Sequence, residues 1–259
     1  MNPKKRKSFI LEKVKREKSV YIDDLSKILN ISPQSIRKDV NNLCRQGLLR
    51  REYGGATIPT NRENISYTNR QMLHFSEKNI IAKMIAKKIP DNSSLFFSIG
   101  TTPEIIAKAL VKHKNLKIFT NNLNVALACC ENTTFKITIL GGEIRSKHHD
   151  ILGFDIEKFF NSYFVDYGIF GVGAIEKDGT LLDFTQDELR ARNAIKTNSK
   201  EVFLAADFSK FERVAYIRGG NITDVNSFFC DRKPPEFICS MLSKQKTPYF
   251  YPNSHENLQ

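Results

Sequence analysis

No stretch of this 259-residue chain is apolar for long enough to cross a bilayer, and Met1 to Lys7 leads into no secretory core. Neither a membrane span nor export is expected, and a cytoplasmic location is. Paired metal-ligand spacing is also lacking. The five cysteines (Cys44, Cys129, Cys130, Cys230, Cys239) form no Cys-x-x-Cys unit, and their odd number favours reduced thiols. His148-His149 has no carboxylate or cysteine partner at ligand spacing, so a loop is expected there and no metal. The amino-terminal end is poor in acid: residues 1–58 carry 14 Lys/Arg against 6 Asp/Glu, while the other 201 residues carry 26 against 22. Most of the net charge of +12 therefore sits in the first fifth of the chain, as a lobe that docks on a polyanion requires. At 41% apolar residues, the chain can build one large or two ordinary domains.

The most informative stretch is residues 32–56. Ser32 can accept backbone N–H groups of a new helix, and Pro33 fits its first position because no N–H is needed there. Ile36, Val40 and Leu43 recur at i, i+4 and i+7 as one buried stripe, and Gly47 is the expected helix end. Gln34, Ser35, Arg37 and Lys38 fall off that stripe. Leu48 to Ile58 reads as a basic hairpin with Gly54-Gly55 near its turn. Upstream, Phe9, Ile10 and Val14 mark the inner side of a helix over 4–18; Leu25, Ile28 and Leu29 do so for 23–30. The link from Leu29 to Pro33 is the tight connection of a helix-turn-helix pair. A solvated amphipathic helix would explain the third helix alone; three helices and a basic hairpin imply a winged helix-turn-helix over residues 1–58. Arg can then take guanine, Gln adenine, and Lys phosphate.

Residues 59–75 read as a linker, with a short helix near 67–73, and 253–259 as a frayed tail. Between them, over 76–252, short apolar strands alternate with helices, the pattern of an α/β domain with a mostly parallel sheet covered on both faces. Small ligands bind such sheets outside the carboxyl ends of the strands. The polar groups expected there are Gly100, Thr101 and Thr102, Asn121 and Asn122, Gly141 and Gly142, and Lys210. Gly100 permits close backbone approach, two threonines offer hydroxyls, and a helix start favours phosphate. Asn121 and Asn122 suit sugar or polyol hydroxyls, and Lys210 adds charge. Singly, Thr102 also reads as a helix cap, Gly141-Gly142 as a turn and Lys210 as a surface cation. Phe159, Phe160 and Phe164 read as core or subunit contact.

The run Ser32-Pro-Gln-Ser-Ile-Arg-Lys-Asp-Val, followed by Leu43, Gly47, Arg51 and Tyr53-Gly-Gly-Ala56, closely resembles the signature of the DeoR family of bacterial transcription regulators. The likeness runs on through Ile99-Gly-Thr-Thr-Pro-Glu104, Thr120-Asn-Asn-Leu-Asn-Val-Ala126, Gly141-Gly-Glu-Ile-Arg145 and Asp207-Phe-Ser-Lys-Phe211. It implies a repressor that reads double-stranded operator DNA with Gln34, Ser35, Arg37, Lys38 and Asn41, and with Arg50, Arg51 and Tyr53 of the wing. It further implies a sensor fold shared with ribose-5-phosphate isomerase, an effector that is glycerol 3-phosphate or a related sugar phosphate, a homo-oligomer, and no cofactor. Ser98 departs from the family, which usually carries Asp there, and a serine accepts hydroxyl hydrogen bonds less strongly. The rival expectation is a sugar-phosphate isomerase, with Asp183, Asp187 and Glu188 as candidate acid/base groups.

Overall fold

Ser32 and Pro33 start the third helix where their chemistry predicts, and the rest of the amino-terminal unit is built against that helix. The computed structural model describes residues 2–45, 48–57, 67–153 and 155–252. These residues fall into two compact units, Met1–Leu73 and His74–Gln259. Gly47, most of the expected linker and the tail 253–259 lie outside the described residues.

In the first unit, α1 (Pro3–Glu17), β1 (Ser19–Tyr21), α2 (Ile22–Leu29), α3 (Pro33–Arg45), β2 (Arg50–Glu52) and β3 (Gly55–Thr57) form a winged helix-turn-helix, and α4 (Tyr67–Met72) follows. Ile10, Val14, Leu25, Ile36, Val40 and Leu43 make one core with Val20, Leu49 and Ala56. Each fully buried aliphatic side chain there contributes about 1.5–3 kcal/mol. Two expectations change. Ile28 is 53% exposed. Helix α2 begins at Ile22, so Ile22, Leu25 and Leu29 take the inner stripe and turn Ile28 outward. The hairpin is also not alone: β1 pairs with β3 to give a three-stranded sheet ordered β1-β3-β2. Gly55 is required at that junction, because a Cβ there would lie 2.1 Å from the Val20 carbonyl oxygen.

The second unit is organised on a seven-stranded parallel sheet, β15-β14-β12-β9-β4-β5-β6. Its strands are β4 (Ser94–Phe97), β5 (Lys117–Thr120), β6 (Lys136–Ile139), β9 (Val165–Phe170), β12 (Ser199–Ala205), β14 (Ser227–Phe229) and β15 (Tyr249–Phe250). Successive residues point to opposite faces, and both faces are apolar. Phe96, Phe170, Leu204 and Phe228 pack on α8 (Ile156–Asn161), α9 (Gln186–Thr197) and α10 (Glu236–Lys244). Leu95, Phe97, Ile169, Phe203 and Phe229 pack on α5 (Phe75–Ala86), α6 (Thr101–Ala109) and α7 (Leu123–Cys129). Phe160 is fully buried and Phe159 packs beside it, whereas Phe164 stays exposed.

Two additions at the carboxyl edge were not legible in the residue pattern. One is the hairpin of β7 (Ile144–Arg145) and β8 (Asp150–Ile151). The other is a small antiparallel sheet, β10-β11-β13, from Ala174–Ile175, Thr180–Asp183 and Ile217–Asn221.

Candidate functional site

Helix α3 carries its polar residues opposite the buried stripe. Gln34, Arg37, Lys38 and Asn41 are exposed and Ser35 half-buried, and the i, i+3, i+4, i+7 spacing of the first four gives a single outward row. Among the described residues Arg37, Lys38 and Arg51 form no ion pair. Arg50 bonds Glu52 at 3.1 Å, and Tyr53 stands fully exposed at the turn of the wing. The row is aimed from behind: buried Asp39 accepts from Arg6, and Asn42 accepts from Lys7 at 2.8 Å, which fixes the roll of α3 against α1. Ser32 caps weakly, with its Oγ 3.4 Å from the Ser35 N–H.

In the second unit, the loop leaving β4 turns through Gly100 at φ 108°, a conformation open to glycine, and α6 begins at Thr101 with no side-chain cap. The helix start is thus one residue past Gly100, and Pro103 sits in the first turn, where its missing N–H costs nothing. Ser98, Thr101 and Thr102 are buried around this turn. The hydroxyls of Ser98 and Thr102 make no hydrogen bond among the described residues.

The loop leaving β5 is adjacent. Asn122 donates through Nδ2 to Gly100 O at 2.9 Å and Ser98 O at 3.4 Å, and its Oδ1 accepts from Asn124 N at 3.0 Å and Val125 N at 3.4 Å. Both ends of that side chain are spent on capping α7 and bracing the Gly100 turn. Asn121 differs. Its Nδ2 donates to Ile151 O at 2.9 Å, but its fully buried Oδ1 has no donor among the described residues. A buried acceptor without a donor costs about 1–3 kcal/mol, which a guest hydroxyl would recover.

Gly141 and Gly142 follow β6 and launch the β7–β8 hairpin, which returns over Asn121 and Asn122 through Ile151 N–Asn121 O (2.9 Å) and the Asn122–Asp150 bridge. Lys210 lies beyond β12 on a 3₁₀ turn, Phe208–Glu212. Four strand spacings separate the ends of β6 and β12, about 19 Å, while β4 and β12 are about 10 Å apart. The edge therefore brings Gly100, Thr101, Thr102, Asn121 and Asn122 side by side, with Lys210 two strands away and Gly141-Gly142 on the far flank.

The sequence names most of the charged groups at this edge but not their pairings, and it singles out neither Arg192 nor Lys78. Arg145 bonds Asp150 at 2.6 and 2.9 Å and reaches Glu188 at 3.4 Å; Glu188 also accepts from Phe184 N at 3.0 Å, which ties the hairpin to α9. Burial pushes the Glu188 carboxyl up despite that hydrogen bond and Arg145. Asp183 accepts from Arg192 at 2.9 and 2.7 Å, both side chains nearly inaccessible, and burial outweighs that guanidinium and raises the Asp183 carboxyl. Asp207 is held low: burial would raise it, but Lys210, the Ser209 hydroxyl and the buried Lys78 of α5 outweigh burial. Half-buried Asp187 pairs with Arg190. The three groups that an isomerase would use as acid and base are thus each committed to another partner. Among the described residues, no three His, Cys, Asp or Glu side chains gather as a metal site, and no helix is long and apolar enough to cross a membrane. All five cysteines are free thiols.

Residues 6–62 match the DeoR-like helix-turn-helix domain, and residues 73–232 match the DeoR C terminal sensor domain. The chain belongs to the DeoR family. It is 40% identical over 243 residues to the glycerol-3-phosphate regulon repressor of Escherichia coli, covering 94% of this chain and 96% of that protein. The repressor of the same name from Haemophilus influenzae is 42% identical over 233 residues, covering 89% and 91%. The HTH-type transcriptional repressor CsqR of E. coli is 35% identical over 231 residues, covering 89% and 88%. All three relatives are named as transcriptional repressors. Among solved structures, ribose 5-phosphate isomerase A from Neisseria gonorrhoeae aligns with TM-score 0.39 and 14% identity, over 59% of this chain and 57% of that one. Within this chain, the Lys78–Asp207–Lys210 grouping is only partly legible in the sequence. Asp207 and Lys210 stand three residues apart, whereas Lys78 is distant in sequence and its one local signal is a lysine on the buried side of an apolar helix.

Proposed function

We propose that this chain is a cytoplasmic, homo-oligomeric repressor whose winged domain holds operator DNA and whose α/β domain releases it on binding a phosphorylated polyol, glycerol 3-phosphate first. Gln34, Ser35, Arg37, Lys38 and Asn41 read bases or grip phosphates, and Arg50, Arg51 and Tyr53 meet the backbone from the wing. The Gly100–Thr102 turn and Lys210 hold the effector phosphate. The donorless Oδ1 of Asn121 accepts a polyol hydroxyl, while Asn122 and Gly141-Gly142 shape the walls. The observation that carries the reading is the 40% identity running through both units to the E. coli glycerol-3-phosphate regulon repressor. Release requires that the effector prefer a conformation that does not bind DNA. A hundredfold preference supplies about 2.7 kcal/mol per site, so coupled subunits sharpen the switch.

One observation favours a second effector, a different sugar phosphate. Ser98 presents a buried hydroxyl where the family resemblance implies a carboxylate, and that alters which ligand hydroxyls are satisfied. A thermal-shift screen of glycerol 3-phosphate, ribose 5-phosphate and hexose phosphates on the full-length protein separates the two. The true effector raises the melting temperature at saturation, and Lys210→Ala loses that rise. A screen in which none of these compounds moves the transition counts against the sensor reading.

A further inference from the structure

Six arginines lie in the described part of the second unit, and five are ion-paired there: Arg145 with Asp150, Arg190 with Asp187, Arg192 with Asp183, Arg218 with Glu176, and Arg232 with Asp231. Arg213 is the exception. Its guanidinium lies over the Phe184 ring, 5.3 Å from the centroid, and makes no ion pair or hydrogen bond among the described residues. It is nevertheless half-buried, and Asp207, which it senses electrostatically, is already engaged by the Ser209 N–H and hydroxyl. A cation–π contact offsets only part of the cost of taking a guanidinium from water.

The place of Arg213 in the fold shows which partner would supply the rest. It follows directly on the 3₁₀ turn Phe208–Glu212 as its extended C-cap residue, three positions after Lys210, and residues three apart along such a turn eclipse one another. Lys210 and Arg213 therefore leave the turn on one side, while Phe208 and Phe211 pair on another with ring centroids 5.6 Å apart. The segment that follows is pinned to the end of β11 by Tyr216 N–Asp183 O, 3.1 Å, and Asp183 is itself within electrostatic reach of Lys210. Phe184, under the guanidinium, is fixed against Ala174, Leu182 and Ala215.

We infer that Arg213 is an effector-binding residue of this edge, which forks onto two oxygens of a phosphomonoester and makes the site select phosphorylated over neutral polyols. The inference rests on the proposed sensor site. Planar guanidinium donors match phosphate bidentately, which a lysine ammonium cannot do.

The test is calorimetric titration of full-length protein with glycerol 3-phosphate. Arg213→Met keeps the stem and the apolar contact with Phe184 but removes the charge, and weakens binding about 10- to 100-fold. Arg213→Lys restores the charge without the fork and falls between the two. Wild-type affinity in the Met variant overturns the proposal and identifies Arg213 as a packing residue; wild-type affinity in the Lys variant overturns the bidentate contact. If the wild-type protein binds neither glycerol 3-phosphate nor any sugar phosphate of the screen, the sensor site itself fails, and the role of Arg213 with it.

Discussion

The two units use the same cations in opposite ways. On α3 and the wing, Arg37, Lys38 and Arg51 are exposed and form no ion pair among the described residues, and Arg6 with the buried Asp39 lies behind α3 as a brace. At the sheet edge the charges are drawn inside: Asp183, Glu188, Arg192, Asp207 and Lys78 are all buried, and most are matched to a neighbour. An exposed row of cations suits a long polyanion, because each contact releases counterions and none must be desolvated beforehand. A buried, nearly balanced cluster suits a small anion, because a few residual donors in a low dielectric discriminate strongly.

The largest expected effect tests that contrast directly. Between 50 and 200 mM salt, a protein making six to ten phosphate contacts loses about 10³ to 10⁵ in operator affinity. The effector constant should move far less, since its groups are screened by protein. Parallel salt slopes for the two ligands, measured by fluorescence anisotropy and calorimetry, would erase the distinction. Next in size is Asp183→Ala, which strands the inaccessible Arg192 and costs about 3–5 kcal/mol. Denaturant unfolding should place that loss in the α/β unit, and the double change Asp183→Leu/Arg192→Met should recover much of it. A single variant as stable as the parent would mean the pair is not isolated from water. Smallest is Arg37→Ala, expected to cost about 1–3 kcal/mol of operator binding and to relax preference at one base pair. Equal weakening on all sequences would reassign Arg37 from base reading to phosphate contact.

Local periodicity made much of this architecture readable. Ile36, Val40 and Leu43 announce their stripe because a helix repeats every 3.6 residues, and Gly100-Thr-Thr-Pro announces a loop-to-helix turn because glycine frees the backbone for a positive φ and proline fixes a helical one. Ile28 misled for the same kind of reason: it sits within one turn of the true stripe, and the helix start at Ile22 decided which neighbour went inside. The charge pairs were not readable at all. Arg145 meets Glu188 across 43 positions, and Arg213 stands out only when the partners of every other arginine are known.

By itself the sequence determined two units, a basic helix-turn-helix with a wing and an α/β unit with polar strand ends, because hydrophobic period, capping residues and charge density act over a few residues. Tertiary structure alone decided that Asn122 braces the turn while, among the described residues, Asn121 Oδ1 has no donor and Arg213 lies over Phe184 with no ion pair. Those outcomes depend on which distant groups each side chain meets after the strands align, and hydrogen bonds and ion pairs are settled at 3 Å, a distance that residue spacing does not encode.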